Sequence, residues 1–349
     1  MIRKLARRLI DLAEPSIAKV FSINRTLARL YFGLLSPRFS REQFVVLRGR
    51  ARFQMGPQLI SNPRLRRNIH RLEKGLLMQP RAKTFAADYA LETVAAFRTA
   101  SLSQFHDGAE LAWSNDVLRE YFEVFEPTPE ILEARRIFES IRNNAQAPNV
   151  ETPPKVPHPR ALGVRSNIEY DQFLALCQQR RSIGCFNKTN VPIELIERAV
   201  RAAAEAPSAC NRQPFLFRLI DEPAEASSIA GLAMGTRGYS EQVPALVVVI
   251  GDFSSFALER DRHLPYIDSA LASMQFMLAL ETLGLASCPI NWPDIESLER
   301  RMSRRLELPD HLRPVLLIAV GYPNPQGGVA HSEKKPVSLL LRSSNDYRD

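Results

Sequence analysis

A cluster of prolines near the middle of the chain sets the strongest limit on how it can fold. Between residues 147 and 165 stand Pro148, Pro153, Pro154, Pro157 and Pro159. Each proline fixes φ and removes a backbone donor, so this density favours an extended linker. We therefore predict one region over 1–146, a Pro-rich linker over 147–165 and a second region over 166–345.

The region 1–146 has the apolar spacing of helices. One apolar stripe is marked by Ile69, Leu72, Leu76 and Leu77. The Ala-rich run from Thr84 to Phe97 has the same spacing, and Gly75 is interpreted as a C-cap that ends the first of these helices. This half of the chain indicates no reaction.

Residues 1–40 are basic and amphipathic. The apolar positions at helical spacing are Ile2, Leu5, Leu9 and Leu12. Arginine and lysine lie off that stripe, so two interpretations stay open. The helix packs its apolar face on the rest of the protein, or it makes a peripheral contact with an anionic membrane.

The region 166–345 alternates helices with short strands, which predicts a mixed α/β domain. Apolar, β-branched runs over 245–250 and 315–320 are typical of buried central strands, and 215–220 and 287–290 are further strands. A long apolar helix is predicted over 266–283, stopped by Gly284. Helices are also expected over 168–181 and from Pro192 to Ala206.

Composition narrows the class of protein. The 349 residues carry a formal net charge of +8, which suits nucleic acid, an anionic membrane or phosphorylated ligands. Basic residues are spread out and no nucleic-acid-binding motif is present, so we expect no nucleic-acid partner. The four cysteines form no C-x-x-C pair, which disfavours a zinc site and favours the reducing cytoplasm. Because no apolar run reaches about 18 residues, we expect no spanning helix and no secretory signal.

Two segments of the second region combine basic, hydroxyl and amide groups. Arg180-Arg181-Ser182 sets guanidinium groups beside a hydroxyl, which suits a phosphate. The turn from Pro207 to Phe215 offers backbone N–H groups, the Ser208 hydroxyl and side-chain amides that can hydrogen-bond a flat polar ring. Together the segments predict a phosphorylated cofactor with a polar heterocycle.

Two later segments complete the pattern. They are Gly284 to Trp292, and Gly321-Tyr322-Pro323 followed by Lys334-Lys335-Pro336. In order, spacing and content, the four segments resemble the nitroreductase family of FMN-dependent oxidoreductases. The resemblance covers only the region after the linker. It implies an α+β fold, a mixed sheet wrapped by helices, in a homodimer with FMN at the interface of the two subunits.

The resemblance also implies roles for individual residues. Arg180 and Ser182 match contacts to the FMN phosphate and ribityl chain, Arg181 lies between them, and Lys334 or Lys335 matches a basic residue that reaches the phosphate. The positions matched to the flavin ring are Pro207, Ser208 and Asn211 in the turn, typically from the second subunit, and Pro289, Ile290, Asn291 and Trp292 in the later segment. A backbone N–H near Trp292 is expected to point at flavin N5.

The implied reaction moves hydride from NAD(P)H through the flavin to a small organic acceptor. The acceptor is a nitro compound, a quinone or a biosynthetic intermediate. Because the flavin carries this chemistry, no catalytic acid, base or nucleophile of the protein is required.

Three positions depart from the family pattern. Gly184 stands where many members carry another basic residue, and Asn291 and Trp292 stand where an acidic residue and a glycine are frequent. An indole beside the flavin would narrow the pocket or stack on a substrate.

Two other functions therefore stay open. One is a specialised member that uses or consumes flavin in a biosynthetic pathway, since the long N-terminal region resembles helical extensions found with surface-polysaccharide synthesis genes. The other is a non-enzymatic basic binding protein.

Overall fold

The computed structural model of the protein describes residues 17, 19–55, 60–104, 106–126, 128–144, 153–341 and 343. Within these ranges, helices occupy the N-terminal half, and a four-stranded sheet covered by helices occupies the C-terminal half. The predicted α+β class with a helical N-terminal region is therefore confirmed. The amphipathic stripe from Ile2 to Leu12 falls outside the described residues.

The N-terminal half is a bundle of helices. Their bounds are α1 Arg25–Leu30, α2 Ser40–Gln54, α3 Pro63–Leu76, α4 Ala90–Ser101, α5 Gly108–Val124 and α6 Pro129–Asn144. Helix α3 begins at a strong local signal. The Asn62 side chain accepts the N–H groups of Arg64 and Leu65, each at 3.1 Å, and Pro63 occupies the first helical position.

The apolar face of α3 forms much of the core of this half. Leu65, Ile69, Leu72 and Leu76 are buried against α4, α5 and α6. Leu77, the last member of the predicted stripe, is 57% exposed because the helix ends before it. The C-cap interpretation of Gly75 is wrong, since Gly75 lies inside α3 where a Cβ would overlap the ring of Phe85.

The C-terminal half contains the sheet. Its strands are β1 Phe215–Ile220, β2 Ala245–Asp252, β3 Ala286–Asn291 and β4 Leu312–Gly321. They lie in the order β1-β2-β4-β3 with antiparallel neighbours, and a parallel bridge from Ser182 to Ser287 makes the sheet mixed at its β3 edge. The four predicted strands are confirmed, three of them with longer bounds.

Helices surround this sheet. They are α7 Tyr170–Gln179, α8 Ile193–Ala203, α9 Pro223–Ala230, α10 Leu264–Thr282, α11 Glu296–Arg305 and α12 Val337–Leu340. The predicted long helix is α10, and Gly284 follows it with a φ of +75°, a conformation that glycine adopts without strain.

Both faces of the sheet are covered, which explains why β2 is apolar at consecutive positions. Val247 and Val249 pack with Phe276 of α10 on one face. Leu246 and Val248 pack with α9 and α11 on the other face. Because successive strand residues face opposite sides, a strand covered twice has no polar alternation.

The two halves of the chain contact each other directly. Helix α2 lies along residues 253–255, where Gly49 leaves no room for a side chain against Phe253. Arg41 of α2 also pairs with Glu296 of α11 at 2.5 Å. The helical half is therefore packed on the sheet half, while the boundaries at 146 and 166 stay a prediction.

Candidate functional site

The segment around Arg180 lies against the open edge of the sheet. Arg180 directly follows α7 and begins an extended stretch. Ser182 then bridges Ser287 of β3, and the Ile183 N–H donates to the Ser287 carbonyl at 3.0 Å. The basic motif is thus held by backbone pairing, which leaves its side chains free to bind a ligand.

Two buried polar atoms of this segment have no hydrogen-bond partner among the described residues. They are the Nε of Arg180 and the Oγ of Ser287. A buried donor without a partner is costly, particularly on a charged group. A phosphate would satisfy the Arg180 guanidinium, which is only half-buried, so the side chains present fit the phosphate end of FMN.

Tyr239 explains why position 184 is a glycine. A Cβ on Gly184 would lie 3.3 Å from Cγ of Tyr239, a tight contact that the ring would have to relieve by a small shift. The Cys288 thiol donates to the Tyr239 hydroxyl at 3.9 Å. Burial raises the pKa of Tyr239 to about 12 and also raises the pKa of Cys288, although Tyr239 and Arg180 oppose the shift at the thiol. Position 184 therefore packs against an aromatic ring.

The outer edge of β3 presents one backbone donor beyond the bridge at Ser287. Backbone polar groups alternate sides along a strand, so those of Pro289 and Asn291 face outward together with those of Ser287. Proline has no N–H, and its position here therefore costs the sheet no hydrogen bond. The outward donor of this segment is the Asn291 N–H, one residue before the expected position.

The indole of Trp292 lies in the core. Its side chain is 7% exposed, and its Nε1–H donates to Glu299 Oε1 at 2.7 Å. Glu299 also accepts from Nε and Nη2 of Arg313, at 3.2 and 3.1 Å, and Arg313 donates to the Tyr266 hydroxyl at 2.7 Å. The expectation that this indole narrows a pocket or stacks on a substrate is therefore wrong. Ile290 is buried in the same core.

The turn over 207–213 is fixed by contacts from α10 and from within itself. The Ala209 N–H donates to the Asp268 carboxylate at 3.0 Å, and the Gln213 N–H donates to Ser208 Oγ at 3.0 Å. Burial raises the pKa of Asp268, against the opposing effects of the Ala209 N–H and of Arg212. Asp268, near the start of α10, therefore holds the turn.

Three residues of the turn have left-handed backbone: Cys210 at φ 53°, Asn211 at 51° and Gln213 at 49°. This conformation costs roughly 1–2 kcal/mol at a residue other than glycine, so it persists where surrounding contacts enforce it. One such contact comes from Arg66 of α3, which donates to the Asn211 carbonyl at 2.8 Å and to Gln213 Oε1 at 3.0 Å. No local pattern marks Arg66, because its partner is 145 residues away in sequence.

The phosphate-fitting segment and the turn lie at opposite ends of α10. Gln179, next to Arg180, donates to Glu281 at 3.3 Å, whereas the turn bonds to Asp268. Thirteen residues separate Asp268 from Glu281, which corresponds to about 20 Å along the helix axis. Within one chain the two motifs are therefore separated along α10.

The remaining predicted residues are less enclosed. Lys334 and Lys335 are exposed on the extended segment before α12, and neither forms an ion pair within the described part of the chain. Pro207 is exposed at the start of the turn, and Arg181 is half-buried.

The described ranges contain no group of three or more His, Cys, Asp or Glu side chains that could hold a metal ion. None of the helices in those ranges has the length and apolar character needed to cross a membrane.

Comparison with known proteins gives a consistent result. The model of the Nitroreductase family matches residues 177–237 and 233–322. A putative NADH dehydrogenase/NAD(P)H nitroreductase of Methanothermobacter thermautotrophicus is 31% identical over 156 residues, which are 43% of this chain and 76% of that protein. Iodotyrosine deiodinase 1 of Mus musculus is 23% identical over 215 residues, 53% of this chain and 73% of that protein.

A solved structure, a putative NADH dehydrogenase/NAD(P)H nitroreductase from Parabacteroides distasonis, matches 50% of this chain and 98% of its own at 23% identity and a TM-score of 0.43. Together with the sheet and its edge motif, the sequence matches define an oxidoreductase of a flavoprotein class. The chain belongs to the nitroreductase family.

The buried thiol of Cys288 gives a prediction that depends on pH. Because its pKa is raised in the folded state, the thiol stays neutral at pH values where an unfolded cysteine, with a pKa of about 8.5, already ionises. Folding stability from this group is therefore lost as pH rises through 8.5 toward the folded pKa.

We expect the pH midpoint of Cys288 alkylation by iodoacetamide, followed by mass spectrometry, to lie above that of the protein in urea. Tyr239→Phe removes the hydroxyl that would donate to the thiolate and so lower this pKa, and it should move the midpoint further upward. Equal midpoints in folded and unfolded protein would contradict the burial effect.

Proposed function

We propose that the chain is an FMN-dependent oxidoreductase that carries hydride from NAD(P)H to a small organic acceptor. The observation that carries the proposal is the buried, unpartnered Nε of Arg180 on a family motif at the sheet edge. A cation that is desolvated and left with an unused donor is best satisfied by an anion. A nitro compound, a quinone or a biosynthetic intermediate are the acceptor classes that remain.

The phosphate end of the cofactor would be held by charge and hydroxyl groups. Arg180 supplies the guanidinium and Ser182 the exposed hydroxyl, with Arg181 half-buried between them. Lys334 and Lys335 are exposed cations, and neither forms an ion pair within the described ranges, so they are available to add charge at the phosphate. A planar guanidinium that donates two parallel hydrogen bonds, together with the compact charge of a lysine ammonium, suits a phosphate dianion.

The ring end would be held by backbone groups. The outward Asn291 N–H on β3 is the donor available for flavin N5, and Pro289 beside it offers a flat apolar surface. The turn residues Pro207, Ser208 and Asn211 would meet the ring from the other subunit. When bound, the flavin supplies the hydride chemistry, and the protein binds, orients and shields it.

The exposed face of α10 supports a homodimer. Ile267, Leu271 and Met274 recur at i, i+4 and i+7 and are 51%, 44% and 39% exposed. Helix α7, which contacts α10, has no buried residue. A contiguous apolar face of this kind is typical of an interface, so we propose that a second copy covers it.

A two-fold axis across the middle of α10 would complete the cofactor site. It would set the two copies of α10 antiparallel, so that the Arg180 end of one protomer meets the 207–213 turn of its partner. The roughly 20 Å between these motifs within one protomer supports this split site.

The cytoplasm remains the proposed compartment. The four cysteines are all unpaired, and Cys177, Cys185, Cys210 and Cys288 are each half-buried. Free thiols of this kind suit a reducing environment.

A specialised substrate is the second candidate, favoured by the helical region that lies against the turn. Helix α3 contacts residues 209–211 directly, so it would stand next to a ring-bound substrate. The similarity to iodotyrosine deiodinase 1 adds a relative with a dedicated substrate. We expect NADH- or NADPH-driven turnover of a simple nitroaromatic or quinone to be slow, and rapid turnover of both acceptors would remove this candidate.

Removal of Arg180 should weaken FMN binding strongly. The loss of one hydrogen bond to a charged group is worth about 1.5–3 kcal/mol, so Arg180→Ala should raise the Kd for FMN roughly 10- to 100-fold, measured by quenching of flavin fluorescence. Arg201→Ala, on the exposed face of α8, is the matched control and should leave the Kd unchanged. A wild-type protein that is colourless and binds no FMN would contradict the proposed function itself.

A charge on the exposed face of α10 should separate the proposed dimer. Leu271→Glu buries a carboxylate in an apolar interface, so light scattering after size exclusion should give the monomer mass, with bound FMN lost as well. Leu132→Glu introduces the same change at a leucine of α6 that is 52% exposed, and it should leave mass and FMN content unchanged. A Leu271→Glu protein that remains dimeric would show that α10 is not the interface.

A further inference from the structure

We infer that Arg66, in the helical region outside the part matched by the family, is a positioning residue for the turn that meets the flavin ring. The family match begins at residue 177, whereas Arg66 lies on α3. This inference rests on the proposed function, because it takes the 207–213 turn as a contact of the ring.

The guanidinium of Arg66 fits the turn on two sides. Its Nε donates to the Asn211 carbonyl at 2.8 Å and its Nη2 donates to Gln213 Oε1 at 3.0 Å. Asn211 and Gln213 are two of the residues with left-handed backbone, so the fork holds the strained positions themselves. The Gln213 amide is held on its other side as well, because its Nε2 donates to the Ala204 carbonyl at the end of α8 at 2.7 Å.

The guanidinium of Arg66 is itself held by a buried carboxylate on the side away from the turn. Its third nitrogen, Nη1, pairs with Glu110 of α5 at 3.1 Å, and the side chains of Arg66 and Glu110 are 13% and 0% exposed. Glu110 also accepts from Ser61 Oγ at 2.6 Å and from the Asn62 N–H at 2.9 Å, and His106 lies 3.0 Å away. A buried carboxylate with this many partners has one orientation, so it orients Arg66 toward the turn.

The fork geometry identifies arginine, and not charge alone, as the requirement. A lysine could keep the ion pair with Glu110, but one ammonium cannot also donate along the two directions that Nε and Nη2 serve. Arg66→Lys therefore loosens the turn without leaving Glu110 unpaired. The segment that binds phosphate is at the other end of α10 and should not respond.

The test uses two flavins that differ at one end. FMN carries the phosphate and riboflavin lacks it. A substitution that disturbs the ring end of the site should therefore weaken the binding of both flavins, whereas one that disturbs the phosphate end should weaken the binding of FMN alone. In the full-length protein, Arg66→Lys should raise the Kd for FMN and for riboflavin by a similar factor of about ten, the value of one charge-assisted hydrogen bond. Arg180→Ala should raise the Kd for FMN only.

The matched control is Arg67→Lys. Arg67 is the next residue of α3 and pairs with Glu92 at 3.0 Å, on the helical side of the structure. The Arg67→Lys variant should leave the Kd values for both flavins unchanged. Its unfolding midpoint is the reference against which the midpoint of Arg66→Lys is compared. Gln213→Met removes the acceptor of the same contact on the turn side, and it should weaken the binding of both flavins as Arg66→Lys does. It replaces Arg66→Lys in the test if the Arg66→Lys protein fails to fold.

The outcomes separate the inference from the function beneath it. Unchanged flavin affinities in Arg66→Lys, or a loss seen for FMN alone, overturn the positioning role while FMN binding by the wild type stands. The positioning role is also overturned if the unfolding midpoint of Arg66→Lys falls well below that of Arg67→Lys and flavin affinity is lost only under conditions near that midpoint. A wild-type protein that binds neither flavin overturns the proposed function and this inference together.

Discussion

Helix α10 holds two motifs apart, and the architecture of the proposed site follows from that separation. The turn is bonded to Asp268 near one end of the helix, and the segment before Arg180 is bonded to Glu281 near the other. About 20 Å of helix lies between them, and this separation supports the proposal that the cofactor site draws its two motifs from two chains. The exposed apolar face of the same helix provides the surface for that pairing.

Buried carboxylates hold the two parts of the proposed site that sheet pairing does not hold, the 207–213 turn and the residue that follows β3. Asp268 holds the turn from the sheet half, and Glu110 holds it from the helical half through Arg66. Glu299 ties Trp292, at the end of β3, to Arg313 of β4. A charge removed from water is tolerated only with hydrogen-bond partners, and the bonds at Asp268, Glu110 and Glu299 Oε1 restrict the groups that these carboxylates contact. The site is therefore rigid where it would meet the ring.

Regular packing and local motifs could be predicted from the sequence. The unbroken apolar run of β2 follows from burial on two faces, and the length of α10 follows from its apolar sequence and from Gly284. The basic motif before β3 could also be found, because its groups are adjacent along the chain. Its position at the sheet edge agrees with that chemistry.

What depended on contacts between different structural elements could not be predicted. Gly75 suggested a helix end, but the ring of Phe85 requires the glycine inside the helix. Gly184 gave no sign of Tyr239, whose ring packs against it. Trp292 suggested a substrate surface, and its partner Glu299 keeps it in the core. Periodicity and motifs report what a residue does on its own element, so none of these partners has a local signal.

The split site can be tested most directly with a mixed dimer. One chain carries Arg180→Ala and the other carries Asn211→Asp, which keeps a residue that tolerates the left-handed backbone while replacing the amide with a carboxylate. The two chains are co-expressed with different tags, and FMN content is measured at a concentration that saturates only the wild type. The account predicts little FMN in either variant homodimer and half the wild-type content in the mixed dimer, because one of its two sites draws both intact motifs from different chains. A mixed dimer as empty as its parents would show that each site uses one chain, and would contradict the account.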